Sequence, residues 1–438
     1  MKNRPLCGQT MESTSLSSLP KFIALVMCRY LLVTIGVLAA PLVTGAEDAD
    51  VGDVSSPNRG DFTMRGYDAR IQDGIDLIYR LEFSAADAYF DAIVARHPDN
   101  PLGYFFRAMV TWWRVLVDLE DTGHDEALYR LLKECIDVCD RRLEEDPDDF
   151  DAILFKAGSI GFRGRLRGDR DQFLRAASDG LKCLPLLIRS RALEPTNKDI
   201  LFGQGIYNYF AEVIPEKYPI VRPAMLFLKA GDREKGLQQL QQVADEGRYA
   251  KAEAAYFLAQ IYRIFENDKA RALDHLNRLY ERYPQNALFH RYRARTLAEL
   301  GRWDRAIPSY REVADKSEGG AAGYHTRGRI EAHYYLGKYA FVKNRLDEAR
   351  GHLALADSLS LSLGDRPEEQ AVRGYVSLAN LYLGMACDQL GRRSDALRRY
   401  ERVRTLPKHG ASHKLADKYA RTAYTTLLTT PDPPRSSP

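Results

Sequence analysis

Cysteine is scarce in this chain. The sequence has six cysteines among 438 residues, and two of them fall in the first 28 positions. The other four are too few for a disulfide framework, and a chain of this length needs none to build a core. They are Cys135, Cys139, Cys183 and Cys387. We expect Cys135 and Cys139, one helical turn apart, to be buried thiols, and a disulfide from one of them to Cys183 is the alternative.

The chain also lacks an excess of either charge. The net charge is +3, and the first 46 residues alone contribute three net positive charges. Nucleic acid is therefore not an expected partner, because phosphate binding needs a concentrated positive surface. The densest basic cluster follows Phe162 and is interpreted as a solvated loop rather than an anion site. It contains Arg163, Arg165, Arg167 and Arg170.

A long apolar run is missing as well. The apolar stretch at 31–43 follows Arg29 and is too short to span a bilayer comfortably. Small residues follow it, up to Ala46, so the pattern predicts a signal peptide over 1–46, with Met27 as an alternative true start. We therefore expect an exported protein, periplasmic or secreted. An uncleaved N-terminal membrane anchor is the alternative.

Catalytic signatures are absent from the sequence. There is no H-E-x-x-H, no G-x-x-x-x-G-K-[ST], no G-x-S-x-G and no C-x-x-C. His409 and His413 are interpreted as histidines of an exposed terminal helix rather than metal ligands. The acidic stretch 144–151 is interpreted as a turn in which an aspartate caps the next helix. We expect no catalytic, cofactor-binding or metal-binding residues, no cofactor and no enzymatic activity.

What the sequence does contain is a recurring helical pattern. Gly384 is followed twelve residues later by Ala396, then by Tyr400 and Val403, and Gly391 lies between the two helices. The same offsets relate Gly337 to Ala349, Leu353 and Ala356, and Ala294 to Ala306, Tyr310 and Val313, with Gly301 at the turn. Two small residues let paired helices approach closely, and the bulky residue one turn later fills the space beside them. Each pair leaves an apolar face for its neighbour, so the pairs must stack.

These residues resemble the tetratricopeptide repeat (TPR) family over most of 66–408. The resemblance implies an all-α, right-handed superhelical solenoid of about eight antiparallel helix pairs. In the N-terminal part, Pro98, Pro147 and Pro195 close successive units 49 and 48 residues apart, against about 34 in the usual repeat. We attribute the additions to long turns at 118–127 and 161–172. The region 205–284 is similar to a branch related to fungal inclusion-body clearance proteins.

These patterns predict seven segments. They are a signal peptide at 1–46, a flexible leader at 47–65, N-terminal repeats with long turns at 66–198, a proline-interrupted repeat at 199–250, regular repeats at 251–408, a capping helix at 409–428 and a disordered tail at 429–438. Within 199–250, prolines separate a first helix from a second that restarts at Gly231-Asp232. The insertion between them, 215–230, is predicted to be a joint between repeats.

The resemblance implies a non-catalytic scaffold that binds a protein or peptide in a concave groove lined by the first helices. Adjacent Trp112 and Trp113 cannot face the same way on a helix, so one is predicted to lie in the core and the other at a groove or interface. The predicted partner-binding residues are Tyr104, Trp113, Tyr207, Tyr262, Arg291 and Tyr335. The alternative is a peripheral membrane- or lipid-associated protein that uses the apolar residues of the insertion. These are Ile220, Val221, Met225, Leu226 and Phe227.

Overall fold

The computed structural model describes residues 68–217, 219, 230–363 and 370–425. In these ranges the chain is all helical, without strands. None of the described helices combines the length and the apolar content that crossing a bilayer requires. The predicted signal peptide, leader and tail lie outside the described residues, as do the five apolar residues of the insertion. The described residues form two compact units, one ending at Asn286 and the other beginning at Ala287.

The N-terminal unit is a succession of helices that pair with their neighbours along the chain. Its helices are α1 (Asp68–Tyr79), α2 (Phe83–Arg96), α3 (Pro101–Val117), α4 (Asp125–Glu145), α5 (Phe150–Asp169), α6 (Phe173–Leu193), α7 (Ile200–Lys217), α8 (Arg233–Glu246), α9 (Lys251–Ile264) and α10 (Lys269–Arg282). Each odd-numbered helix packs on the even-numbered helix that follows it. Short turns make the partners of most pairs antiparallel, as the repeat resemblance implies.

Longer helices, rather than long turns alone, account for the wide repeat spacing in this unit. The prediction of a solvated loop at 161–172 is wrong, because α5 continues through this stretch to Asp169. Two of its arginines face α6, where Arg163 and Arg167 form ion pairs at 2.7 and 2.6 Å with Asp179, whose side chain is 1% exposed. These pairs hold the polar stretch in the helix. The stretch 118–127 is only partly a turn, because α4 begins at Asp125.

The proline-interrupted pair α7–α8 depends on glycine. Helix α7 includes Pro215 and ends two residues after it, and α8 begins after Asp232, whose side chain accepts a hydrogen bond from the backbone N–H of Lys235. A Cβ on Gly205 would lie 3.0 Å from the carbonyl oxygen of Gly236, and one on Gly236 would lie 2.5 Å from the Tyr209 nitrogen. The two backbones therefore approach closer than side chains would allow.

The C-terminal unit repeats the pairing more regularly. Its helices are α11 (Ala287–Glu299), α12 (Trp303–Glu318), α13 (Thr326–Val342), α14 (Leu346–Ser360), α15 (Gln370–Gln389), α16 (Arg393–Thr405) and α17 (Ser412–Arg421). Helix α17 packs on α15 and α16 and ends earlier than the predicted capping helix, because the backbone of Thr422 is extended.

The predicted packing of small against bulky residues is confirmed. A Cβ on Gly337 would lie 2.5 Å from Leu353 Cγ, and one on Gly384 would lie 2.5 Å from Tyr400 Cε1. The other positions of the pattern are buried at Ala306, Tyr310, Val313, Ala349, Ala356, Ala396 and Val403. Gly301 and Gly391 take the left-handed backbone predicted for the turns, each with φ of +72°. The predicted aspartate cap is also present, since Asp149 accepts a hydrogen bond from the backbone N–H of Ala152.

Candidate protein-interaction face

In the N-terminal unit, the interior is filled by the unit's own helix α9. Eleven consecutive residues, from Ala252 to Tyr262, are buried. Helices α1, α3 and α5 supply side chains to this region, and the indole Nε1 of Trp113 on α3 donates a hydrogen bond of 2.8 Å to Glu253 Oε1 on α9. The ring of Trp113 also packs edge-on against Tyr79 of α1. The first helices of this unit therefore face a covered helix here rather than an open groove.

The prediction that only one of the two adjacent tryptophans belongs to the core is wrong. They do face different ways, but Trp112 and Trp113 are both buried. The ring of Trp112 packs against Phe162 of α5, and the guanidinium of Arg165 lies 4.6 Å from its centroid. Both sides of α3 are covered, one by α5 and the other by α1 and α9.

The other predicted partner-binding residues of this unit differ in exposure. Tyr104 on α3 is half-buried, whereas Tyr207 on α7 is buried. Tyr262 on α9 is also buried and stacks on His275 of α10, with ring centroids 5.8 Å apart. The structure does not bring these tyrosines together into one surface.

In the C-terminal unit, Arg291 lies beside a buried carboxylate, and Tyr335 stacks on a tyrosine that is hydrogen-bonded to the same carboxylate. Glu331 on α13 is 3% exposed at its side chain, and the Nε of Arg291 on α11 lies 3.7 Å from its Oε2. Arg295, one turn further along α11, donates from Nε and Nη2 to the two carboxylate oxygens at 2.8 and 2.5 Å. On the core side, the hydroxyl of Tyr310 donates a hydrogen bond of 3.3 Å to Oε1.

The electrostatics of this cluster favour a charged carboxylate. Burial alone would raise the pKa of Glu331, but Arg295, Arg291 and Tyr310 together outweigh burial and lower the pKa below its ordinary value. Burial alone would lower the pKa of Arg295, but Glu331 raises it well above its ordinary value. Two guanidinium groups thus share one negative charge. The Nε of Arg291 has no hydrogen-bond partner among the described residues.

Half-buried tyrosines extend the cluster. The ring of Tyr335 stacks on that of Tyr310, with the ring centroids 4.7 Å apart and an interplanar angle of 10°. The ring centroid of Tyr375 on α15 lies 6.0 Å from that of Tyr335. The guanidinium of Arg295 lies 5.8 Å from the centroid of Tyr375. We define the Arg-Tyr face as Arg291, Arg295, Tyr335 and Tyr375, which lie on the first helices of three successive pairs.

Sequence reasoning missed Arg295, Glu331 and Tyr375. The first two carry a signal in their spacing, because Arg295 is four residues from Arg291, and Glu331 is four residues from Tyr335. Residues four apart share one side of a helix. An arginine pair on the first helix of one repeat and an acid–tyrosine pair on the first helix of the next repeat would have indicated that these two helices are in contact.

A model of the tetratricopeptide repeat family matches residues 263–321 of the chain. That match falls on helices that pair as the family's repeats do. The chain therefore contains a tetratricopeptide repeat (TPR) segment at 263–321. The closer relation to the fungal inclusion-body clearance branch stays a prediction. No curated protein matches the sequence of this TPR protein.

Several solved structures are similar to this TPR protein at low identity. A human IFIT1 dimer with PPP-AAAA is 14% identical, covers 74% of this chain and 69% of its own, and has a TM-score of 0.42. Yeast Tom70 is 12% identical, covers 79% of this chain and 86% of its own, and has a TM-score of 0.35. The C-terminal part of a TPR repeat-containing protein from Cytophaga hutchinsonii is 17% identical, covers 66% and 94%, and has a TM-score of 0.32. At these values, the ligands in those structures say nothing about this chain.

One cluster in the TPR protein has the residue types of a catalytic site but not its accessibility. The ring nitrogens of His290 lie 2.9 Å from the hydroxyl oxygens of Tyr324 and Ser309. All three side chains are buried, so no substrate reaches them. Burial also lowers the pKa of His290 to about 4, so the ring is neutral near pH 7. The contacts satisfy a buried imidazole and join α11 to α12 and to the loop before α13.

The cysteines and acidic residues of the described part form no metal centre. No group of three His, Cys, Asp or Glu side chains there is placed to hold a metal ion. The prediction of buried thiols at Cys135 and Cys139 is confirmed, since these cysteines are unbridged and buried. Cys183 is also a free thiol, and its Sγ donates to the carbonyl oxygen of Ala157 at 3.3 Å.

Proposed function

We propose that this TPR protein is a non-catalytic scaffold that binds a segment of a partner protein on the Arg-Tyr face. The observation that carries the proposal is the arrangement of Arg291 and Arg295 around the single carboxylate of Glu331. One positive charge of the pair is uncompensated by that carboxylate. The face is largely buried but reaches the surface, since Arg291 and Arg295 have side chains 17% and 16% exposed and Tyr335 is half-buried.

The chemistry of the face selects an acidic segment that also carries apolar or aromatic residues. Arginine and tyrosine are enriched among the residues that dominate binding energy at protein interfaces. A guanidinium can receive a carboxylate at two points, and tyrosine offers a large apolar area with a polar end. Glu331 fixes Arg295 in place before binding, so little side-chain freedom is lost when a partner arrives.

A selection from phage-displayed random dodecapeptides tests this proposal. We expect the wild-type chain to enrich peptides in which Asp or Glu accompanies an aromatic residue. The double variant Arg291→Glu with Tyr335→Ala should fail to enrich them. A matched control is Arg398→Glu with Leu397→Ala on α16, because Arg398 is 72% and Leu397 41% exposed outside the face. Equal enrichment by the wild type and the face variant would reject the Arg-Tyr face as the binding surface.

We also propose that the chain is exported. The support is the sequence alone, in which basic Arg29, the apolar stretch 31–43 and the small residues up to Ala46 have the order of a signal peptide. N-terminal sequencing of the chain recovered outside the cytoplasm of a secreting host should begin at Glu47. Recovery of the uncleaved chain in the membrane fraction would instead support the anchor.

A further inference from the structure

An apolar cavity lies within the N-terminal unit, among α1, α3, α5 and the start of α9. Its volume is about 110 Å³. The walls are mainly aromatic and include Phe105, Phe106, Phe155, Phe162, Trp113 and Tyr249. We name this cavity the chamber. All of its lining residues belong to the N-terminal unit, so it is separate from the Arg-Tyr face.

A buried carboxylate lines the chamber with one oxygen unused. Glu253 is 5% exposed, and its Oε1 accepts the hydrogen bond from the indole of Trp113. Its Oε2 is buried and has no hydrogen-bond partner among the described residues. A buried polar atom without a partner is rare in native proteins and calls for an explanation. A bound ligand is one such explanation.

The neighbouring charged groups make no hydrogen bond to this oxygen. The positive charge of Arg165 acts on Glu253 and opposes the effect of burial on its pKa. However, the Arg165 guanidinium lies between two rings, 4.6 Å from Trp112 and 4.7 Å from Phe257, and its Nη1 also has no hydrogen-bond partner among the described residues. The other acid of the lining, Asp199, accepts hydrogen bonds from three backbone N–H groups at 248–250, immediately before α9. Glu253 therefore supplies the open acceptor of the chamber.

A water molecule is a poor occupant of this space. Buried waters usually make about three hydrogen bonds, and genuinely apolar cavities stay dry. Glu253 Oε2 is the one side-chain atom of the described lining that is buried without a hydrogen bond. An occupant that places a cationic group on Glu253 Oε2 and otherwise presents an apolar body matches the walls better, because the remaining N–H groups of a cation can face aromatic rings.

We propose that the chamber binds a small apolar primary amine, with its ammonium group on Glu253 Oε2. Burial raises the pKa of Glu253, and an ammonium group beside it would favour the charged carboxylate. Aromatic faces attract a cation in the same space. An apolar cavity of about 150 Å³ holds benzene, so the chamber, at about 110 Å³, fits a molecule slightly smaller than benzene. Isobutylamine is a suitable probe.

Nuclear magnetic resonance of the full chain with ¹⁵N-labelled tryptophan tests the proposal. The chain has three tryptophans, and the indole of Trp113 is bonded directly to Glu253. We expect isobutylamine to shift the Trp113 indole signal saturably while the signal of Trp303, in the other unit, stays unchanged. Isobutanol, the neutral molecule of the same shape, should bind at least ten-fold more weakly.

Two variants test separately what the carboxylate and the space of the chamber contribute to binding. Glu253→Gln keeps an oxygen for the Trp113 indole but removes the charge, so isobutylamine should bind at least ten-fold more weakly. Leu154→Trp puts a larger side chain at a half-buried position of the lining and should abolish the shift. The proposal is overturned if isobutylamine causes no saturable shift in the wild type. It is also overturned if amine and alcohol bind equally, or if a folded Leu154→Trp variant binds the amine as the wild type does.

Discussion

The guanidinium of Arg295 on α11 donates two hydrogen bonds, of 2.8 and 2.5 Å, to the buried carboxylate of Glu331 on α13. This pair joins the first helices of two successive repeats. It also places Arg291, one turn away on α11, against the same carboxylate. A contact that stabilises the stacking of repeats therefore also fixes the geometry of the proposed binding face.

Removing this carboxylate should destabilise the protein strongly. Glu331→Gln leaves Arg291 and Arg295 without their counter-charge in a largely buried place, so we expect the free energy of unfolding to fall by about 3 kcal/mol. Urea denaturation followed by circular dichroism measures the change. As a control, Glu401→Gln breaks an exposed pair with Arg404 and should cost less than about 1 kcal/mol. Equal losses in both variants would show that Glu331 is not the joint between repeats.

Two glycines of the α13–α14 pair should respond in opposite directions to the same substitution. Gly337→Ala introduces a Cβ that would lie 2.5 Å from Leu353 Cγ, so the helices must separate, and we expect a loss of about 1–3 kcal/mol. Gly351 on α14 has no atom within 4 Å of such a Cβ. Gly351→Ala should therefore stabilise its helix by up to about 1 kcal/mol. Thermal denaturation midpoints measure both changes, and a neutral Gly337→Ala would contradict the close approach.

Replacing Trp113, which is hydrogen-bonded to α9, should lower the free energy of unfolding more than replacing Trp303 of the C-terminal unit. Trp113→Phe keeps a large aromatic ring but leaves the Glu253 carboxylate without its hydrogen-bond donor. We expect a loss of about 1–3 kcal/mol, the cost of leaving a buried acceptor unpaired. Trp303→Phe, at a half-buried ring against Tyr339, should cost less. Urea denaturation of the two variants decides, and a larger loss at Trp303 would contradict the contact described for Trp113.

Mild acid should destabilise the C-terminal unit through His290. Burial lowers the pKa of this ring to about 4 in the folded protein, while in the unfolded chain it is about 6.5. The folded state therefore binds fewer protons between these values, and its stability is retained above pH 6.5 and lost as the pH falls toward 4. For His290 alone, we expect a loss of roughly 2 kcal/mol between pH 6.5 and 4.5.

The non-titrating variant His290→Gln provides the control for this pH dependence. Its free energy of unfolding should fall less steeply over the same range, whatever its absolute value at pH 7. His275 and His333, whose pKa values burial also lowers to about 4, should account for part of the remaining slope. Identical slopes in the variant and the wild type would remove His290 as a source of the acid sensitivity.

The sequence predicts contacts within a helical pair better than contacts between distant helices. The offset from Gly337 to Leu353 identifies two residues that do pack together, because the turn between them is short and the helical period fixes which sides meet. The burial of Trp113 depends on Glu253, 140 residues away, and no local period carries that information. The loop interpretation around Arg163 failed for the same reason, since its partner Asp179 lies on the next helix.

The candidate face was predictable in part. Arg291 and Tyr335 follow from the position of large residues on the first helices. The structure places Arg291 beside Glu331, and Tyr335 on Tyr310, which is hydrogen-bonded to Glu331. Tyr207 and Tyr262 occupy comparable helices in the sequence but are buried in the N-terminal unit. Exposure depends on which helices cover a surface, and this unit covers its own α9 in a way that the repeat pattern does not specify.

Calorimetric titration of one enriched acidic, aromatic-containing peptide into the full chain tests whether the Arg-Tyr face binds a partner segment. We expect saturable binding to the wild type and to the Arg398→Glu, Leu397→Ala control, and at least ten-fold weaker binding to the folded Arg291→Glu, Tyr335→Ala variant. Equal affinity for all three proteins would contradict this expectation.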